Sequence, residues 1–599
     1  MIRAAKVVVI SALLTVVVSC LPERIEAAER EGPPGINTIY PPAIQRGVAT
    51  PIQCEGKRLG DAAEWVATFA AEVEWEGASS ADTRFIIKPA ADTVPGIYAV
   101  RVRSRRGGIS NLRFLQVTDV PVIRANRSTS EYQQGRIQYD QAQPIAWPAI
   151  IAGHRLSQDT DLFRLGVDRG QRLTIVTETR RLGLTPDPIL WLRDAQGRQL
   201  TYVHDTPGLR MDERLDYTFT EPGDCFLQLK SFGVSGWNNH YLLRVGDFDY
   251  VRTIYPLGGR RGQKLRIEVL NRDGRWSSIA ATVPTDRFDD RWRLPLTDFP
   301  GSLPWVMASG DLPEVDERGN SAVGRSLTQR PSAQPIDWPV TVNGRIDQPG
   351  EGDRYRIAVQ PGQHVRIMVD AFYLGSHLDG YLLVYDLAAK KLLAKNDDQR
   401  YRGNPDPALT FEVPATTREV IVELRDTRGY GGVEFPYRMT IERGGPDFYL
   451  WLGKPQNPYT AEHVGWYKMD PSDTLNMPIG REIKYPVSVR RKAKQEPTYT
   501  GPVQDYQGPI RLRALQVPRG VTIKPTEIAV GQTTAELSCL ATADAPREPF
   551  EVVVIGEATR EDGTVIRRIA ERKLYISDAS MTLLTWNWRV RKLVCAIVD

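Results

Sequence analysis

The chain repeats itself twice, at two offsets, and this constrains its fold more than any other feature. Ile36-Asn37-Thr38-Ile39-Tyr40-Pro41, followed by Arg46-Gly47, returns as Val251-Arg252-Thr253-Ile254-Tyr255-Pro256, followed by Arg261-Gly262, at an offset of 215. We call this unit A. Trp147-Pro148 with Gly153, Asp161, Gly170-Gln171, Leu182-Gly183, Asp187, Asp194 and Leu200 returns as Trp338-Pro339 with Gly344, Asp353, Gly362-Gln363, Leu374-Gly375, Asp379, Asp386 and Leu392. The offset is 191 at the start and 192 thereafter, and Thr218-Phe219 against Thr410-Phe411 keeps it. We call this unit B. A sequence repeat implies a repeated structural unit, so the order is A, B, A, B and then a remainder from about 447.

Within the units the hydrophobic period is two. Val365, Ile367 and Val369 alternate with Arg366 and Met368; Tyr98, Val100 and Val102 alternate with Ala99, Arg101 and Arg103. Such alternation marks half-buried strands. Turn clusters such as Asp194-Ala-Gln-Gly197 and Val94-Pro95-Gly96 separate them, as antiparallel sandwiches require. The expected fold class is therefore all-β: tandem β-sandwich domains in duplicated A-B-A-B order with a further C-terminal sandwich. Asp61 to Ala71 is the one stretch expected to make a short helix.

Residues 1–28 have the layout of a signal peptide: Arg3 and Lys6 precede the mainly apolar run Val7 to Val18. Twelve residues are too few to span a bilayer, so export to the periplasm or cell surface is expected. Val17-Val18-Ser19-Cys20 resembles the lipobox of bacterial lipoproteins, which implies lipidation of Cys20 and an outer-membrane tether. Cleavage near Ala27 or Ala28, with Cys20 discarded, is the other reading. Cys54, Cys225, Cys539 and Cys595 are far apart and form no CxxC pair, so they are expected as buried thiols rather than zinc ligands or a disulfide framework. A net charge of +4 over 599 residues leaves no basic footprint for nucleic acid.

Unit B carries Gly344-Arg345-Ile346, Asp353-Arg354-Tyr355, Pro361-Gly362-Gln363, Leu374-Gly375-Ser376-His377-Leu378-Asp379, Asp386 and Asn396-Asp397-Asp398. These residues resemble the bacterial pre-peptidase C-terminal domain. The resemblance implies a jelly-roll-like sandwich that is not itself catalytic, is found in exported proteins, and in some members binds calcium or extracellular polymers. Unit A, and residues 473–577 with Pro478-Ile479-Gly480-Arg481-Glu482 and Pro518-Arg519-Gly520-Val521, resemble immunoglobulin-like sandwiches. The domains read as follows: a signal peptide at 1–28, an immunoglobulin-like sandwich at 36–118, a first pre-peptidase C-terminal-like domain at 119–248, and a degenerate immunoglobulin-like sandwich at 249–310. A second pre-peptidase C-terminal-like domain at 311–446, a C-terminal sandwich at 473–577 and a tail at 578–599 complete the chain.

In the second B copy, Asp353, Asn396, Asp397 and Asp398, with Glu314, Asp316, Glu317 and Asn320 in the segment leading into it, form an oxygen-rich set. Calcium takes 6 to 8 such ligands; turn chemistry and a solvated linker explain the same residues without an ion. The first copy has Val203-His204-Asp205 instead, so calcium is expected in the second copy alone. Two matching glycine-rich loops carry Trp237 and Asn238, and Tyr430 and Phe435. Exposed rings beside amides would suit an extracellular polymer or a protein partner; rings that cap the core are the alternative.

Six scattered histidines with no HExxH and no GxSxG give little basis for catalysis. The leading functional expectation is a non-catalytic exported binding or scaffolding protein. An accessory subunit of an exported peptidase, and a hydrolase with an unrecognised site, are the alternatives.

Overall fold

The computed structural model describes residues 6–10, 13–17, 32–126, 139–154, 160–209, 212–232, 239–317, 333–388, 390–399, 405–454, 473–491, 505–577 and 584–599. Among these residues there is no α-helix; the helical segments are single 3₁₀ turns such as Arg180–Leu182 and Phe372–Leu374. The protein is a chain of β-sandwiches, each with its own apolar core.

The two B units have one topology. In the first, Val122–Arg124, Ala149–Gly153, Tyr241–Gly246, Arg172–Thr177 and Arg214–Thr218 lie side by side in one sheet. The second repeats that order with Glu314–Asp316, Val340–Arg345, Pro436–Arg443, His364–Asp370 and Ala408–Glu412. The facing five-stranded sheets also correspond strand for strand. Gly170 and Gly362 both have positive φ, +80° and +74°, at the same turn. The 3₁₀ turns match as well: Asp212 Oδ1 accepts from the backbone N–H groups of Thr179 and Arg180, and Asp406 Oδ1 accepts from Phe372 N–H.

A glycine and a tyrosine fix the middle of each B core. Tyr241 packs its ring onto Gly153, and Tyr437 onto Gly344; a Cβ on either glycine would overlap the ring. Each hydroxyl donates across the core to an aspartate, Tyr241 to Asp161 at 2.6 Å and Tyr437 to Asp353 at 2.7 Å.

The A units share a parallel pairing of a short strand with a later one, Ala43–Gln45 with Gln116–Thr118 and Gly258–Arg260 with Ala308–Gly310. The second A unit keeps only two three-stranded sheets. The stretch expected as a short helix is instead the strand Ala62–Ala67, which pairs with Gly96–Ser104 through Trp65↔Val102 and Val66↔Arg101. Tertiary packing overrides local propensity here, because Trp65 is buried in the core. Lys6–Ile10 and Leu13–Val17 form a hairpin whose second strand pairs with that same strand. β-branched runs such as Val7-Val8-Val9-Ile10 favour extended backbone.

The C-terminal sandwich is larger than its sequence boundaries. Tyr449–Leu452 pairs with Ile483–Arg490, and Leu593–Val598 runs parallel to Thr474–Pro478. Residues 593–598 are thus a core strand, with Leu593, Cys595 and Ile597 buried, and not a separate tail. Cys54, Cys225, Cys539 and Cys595 are buried thiols.

Replacing Gly344 by alanine forces Tyr437 off its site, and such overpacking costs about 1–3 kcal/mol. Chemical denaturation of Gly344→Ala should show that loss. Combining it with Tyr437→Ala should give less than the sum of the single effects, because the two residues are in contact.

Candidate functional site

The second B unit gathers three carboxylates where its leading segment meets its first core strands. Glu317 hydrogen-bonds in line with the strand Val340–Arg345, its own N–H donating to Asn343 O and its Oε2 accepting from Arg345 N–H at 3.1 Å. Glu351 and Asp353 stand two residues apart, so their side chains share one face. One oxygen from each of Glu317, Glu351 and Asp353 lies within 4.8 Å of the others. Asp353 is fully buried; its Oδ2 accepts from Tyr437, and its Oδ1 accepts no hydrogen bond. Burial first, and then the charge of Glu317, hold the Asp353 carboxyl well above the usual carboxylate range, although the Tyr437 bond opposes this. Burial raises Glu317 too.

The other expected ligands lie elsewhere. Glu314 is neutralised by a forked ion pair with Arg438, at 2.7 and 2.8 Å, and accepts from Asn343 as well. Asp316 is exposed, because alternation turns it away from its neighbour Glu317. Asn396, Asp397 and Asp398 sit at the far end of the facing sheet. Asn396 Oδ1 accepts from Ala408 N–H at 2.9 Å, and Asp397 Oδ1 accepts from Asp398 N–H. Asp398 is pushed up to about 6 by burial and by Asp397 and Asp379. The eight-residue set therefore does not converge: Asp353 and Glu317 come together, Glu314, Asp316 and the Asn396 group do not, and Asn320 lies outside the described residues. Sequence reasoning missed Glu351. The signal was present in Glu351-Gly352-Asp353, two acids at the spacing that places them on one strand face.

The first B unit has a different cluster. Asp187, His204, Asp205 and Glu213 also bring one ligand atom each within 4.8 Å. His204 Nε2 stands 3.8 Å from Asp187 Oδ1, and its Nδ1 3.9 Å from Asp205 Oδ2. Glu213 is fully buried and pushed up to about 8, chiefly by burial. An imidazole among carboxylates suits transition metals better than calcium.

Of the expected ligand-binding residues, Trp237, Asn238 and the lipidation candidate Cys20 lie outside the described residues. Tyr430 is 56% exposed and lies beside the Arg428 guanidinium, 5.1 Å from the ring centroid. Phe435 is instead half-buried against the second B core and edge-on to His377. It serves the core, because its position just before the strand Pro436–Arg443 folds it inward.

No family profile and no curated protein matches the chain. Solved structures do resemble it. A pre-peptidase C-terminal domain of a collagenase from Bacillus anthracis is 19% identical, with a TM-score of 0.15, and the match covers 18% of this chain and 95% of that one. The SGBP-B protein of a Bacteroides ovatus mixed-linkage glucan utilization locus, in complex with a mixed-linkage heptasaccharide, is 6% identical at a TM-score of 0.13, covering 72% and 80%. A tetra-tandem repeat from the extending region of a large adhesion protein is 8% identical at a TM-score of 0.11, covering 89% and 98%.

A carboxyl raised in the folded state contributes stability that is present below its unfolded value and lost as pH rises through its folded value. For Asp353 that loss begins near the ordinary value of 3.8. In chelator, the melting temperature of the full chain should fall as pH rises from about 4 to about 8, and Asp353→Asn should reduce the fall. The component from Glu213 should persist in that variant. A pH–melting profile unchanged by Asp353→Asn contradicts the assignment.

Proposed function

We propose that the chain is a non-catalytic, exported binding or scaffolding protein of the periplasm or cell surface, with B units of pre-peptidase C-terminal type. One observation carries this reading: the sandwiches are locked to one another. The first A unit meets the last sandwich through a buried ion pair, Arg101 Nη2 to Asp473 Oδ2 at 2.9 Å. Beside it the Asn476 side chain both accepts from and donates to the Ile109 backbone, at 2.7 and 3.1 Å. The second A unit meets that sandwich through Asp290, which accepts from Arg589 and Arg591 at 2.7 and 2.8 Å, and Lys592 reaches Asp286 at 2.6 Å. Burial alone would raise the Asp290 carboxyl, but Arg589, Arg591 and Arg291 hold it well below the usual range. Such ties keep surfaces from distant parts of the sequence in one arrangement, which a scaffold needs and a string of independent modules lacks.

Arg3, Lys6 and the apolar run to Val18 support export. The ligand class that fits is an extracellular polymer or a protein partner, and the exposed Tyr430 ring supports such contact. Calcium fits the second B unit as a structural ion. The three carboxylates offer hard oxygen donors, two of them buried and the third half-buried, and a cation among them would favour their ionised forms against the burial that opposes them.

Cells expressing the full chain should carry it in the envelope fraction, and the mature protein should lack Met1. The purified protein should sediment with one of insoluble peptidoglycan, chitin or cellulose, or bind a surface protein, without turnover of the polymer or of casein. Turnover of any of them replaces this reading with the hydrolase alternative. For calcium, an ion at a hundredfold its Kd stabilises the folded state by about 2.7 kcal/mol. Calcium should therefore raise the melting temperature of the full chain, Asp353→Asn and Glu351→Gln should abolish the rise, and His204→Ala should leave it intact.

A further inference from the structure

The four repeat units meet around a cavity of about 110 Å³. Arg181 and Arg214 come from the first B unit, Tyr250, Arg293 and Trp305 from the second A unit, and Tyr373 from the second B unit. The lining contains three arginines and no aspartate or glutamate, and the rest of it is largely apolar. Its walls are fixed. Trp305 donates its indole N–H to Leu374 O at 2.8 Å, and its ring lies on Gly375, where a Cβ would come within 2.7 Å. Tyr250 donates its hydroxyl to Asp216 at 2.6 Å.

The three guanidinium groups differ. Arg181 is paired with Asp212, Nε to Oδ2 at 2.9 Å. Arg214 instead stacks on the Tyr250 ring, 3.9 Å from its centroid, and among the described residues no carboxylate lies within 4.0 Å of it. Burial pulls Arg214 below its ordinary range and pushes Arg293 down to about 10. Among the described residues the Arg214 guanidinium is thus a cation of the lining without a carboxylate within 4.0 Å. A partly buried cation in that state favours an anion, and a guanidinium fork matches a carboxylate in particular.

We propose that this cleft binds a small aromatic carboxylate, its acid group on Arg214 and its ring between the aromatic and apolar walls. The volume suits a single ring: an engineered apolar cavity of about 150 Å³ in another protein holds benzene. The charge complementarity fixes the acid end, and the apolar lining favours a flat hydrocarbon ring over a hydroxylated one.

Isothermal titration of the full chain with benzoate, benzamide and glucuronate tests this. Benzoate should bind at least tenfold more tightly than benzamide, which has the same ring without the charge. Arg214→Gln should weaken benzoate at least tenfold, and Arg214→Lys should recover part of the loss. Leu209→Trp, which fills the cleft without changing its charge, should block binding while the near-ultraviolet circular dichroism stays native. Equal binding of benzamide, unchanged binding by a folded Arg214→Gln protein, or no benzoate heat at millimolar concentration overturns the proposal. Tighter binding of glucuronate than of benzoate overturns the aromatic assignment.

Discussion

In each B sandwich a buried tyrosine hydroxyl donates to an aspartate on the facing sheet, half-buried in the first copy and fully buried in the second, and the rest of the unit is arranged around that bond. A carboxyl taken out of water is costly unless hydrogen-bonded, and leaving such a buried polar group unpartnered costs about 1–3 kcal/mol. For the tyrosine to reach, its ring must lie flat on the neighbouring strand, and glycine alone leaves room there. Gly153 and Gly344, Asp161 and Asp353, Tyr241 and Tyr437 are therefore parts of one device. The copies diverge just beyond it. Phe163 stands in the first where Tyr355 stands in the second, and Tyr355 shares a 2.6 Å hydrogen bond with Tyr437. Ala125 occupies the place of Glu317, each donating its N–H to the same carbonyl of the adjacent strand. The second copy thus surrounds its buried aspartate with further acids.

The fold was legible because duplication and period-two alternation are local signals. An offset of 191 to 192 held from Trp147 to Leu200 leaves little choice but one topology twice, and the structure widens it to 194 at Asp212 and Asp406 and 196 at Tyr241 and Tyr437 without changing the strand order. The candidate site was legible only in part. Alternation tells which face a residue takes, so Glu351 could have been found beside Asp353, and Asp316 set apart from Glu317. It does not tell which strands are neighbours, so the Asn396 group was placed with Asp353, which lies in the same sheet but three strands away. Nor did anything local announce that Arg438 would occupy Glu314. The C-terminal strand was hidden for the same reason: its pairing partner, Thr474–Pro478, lies more than 100 residues upstream.

The contacts between units are mainly charged, while the cores are apolar. Arg101 with Asp473, Arg291 with Asp370, Arg366 with Asp447 and Arg591 with Asp290 join different sandwiches. A partly buried ion pair adds little net stability against a hydrophobic replacement, yet removing one partner leaves an unpaired charge at a cost of about 3–5 kcal/mol. Such pairs specify which surfaces meet more than they drive the meeting. The driving force lies in apolar seams such as Val66 and Ile109 against Val594 and Ala596.

Divergence between duplicates separates fold from use. Where the two B copies agree, at the glycine, the aspartate, the tyrosine and the capped 3₁₀ turns, the residues serve a sandwich that both must build. Where they differ, the fold makes no demand and another constraint has acted. Arg214 is such a position. By strand register it pairs with Val176 as Ala408 pairs with Met368, and alanine fills that place in the second copy without loss of the sheet. A half-buried arginine that, among the described residues, has no carboxylate within 4.0 Å is a cost that the sandwich does not need, and it faces a cleft that no single repeat could form. The same argument applies to Glu317 against Ala125 and to His204 against Asp397. In a chain built by copying, the informative residues are those at which the copies no longer match.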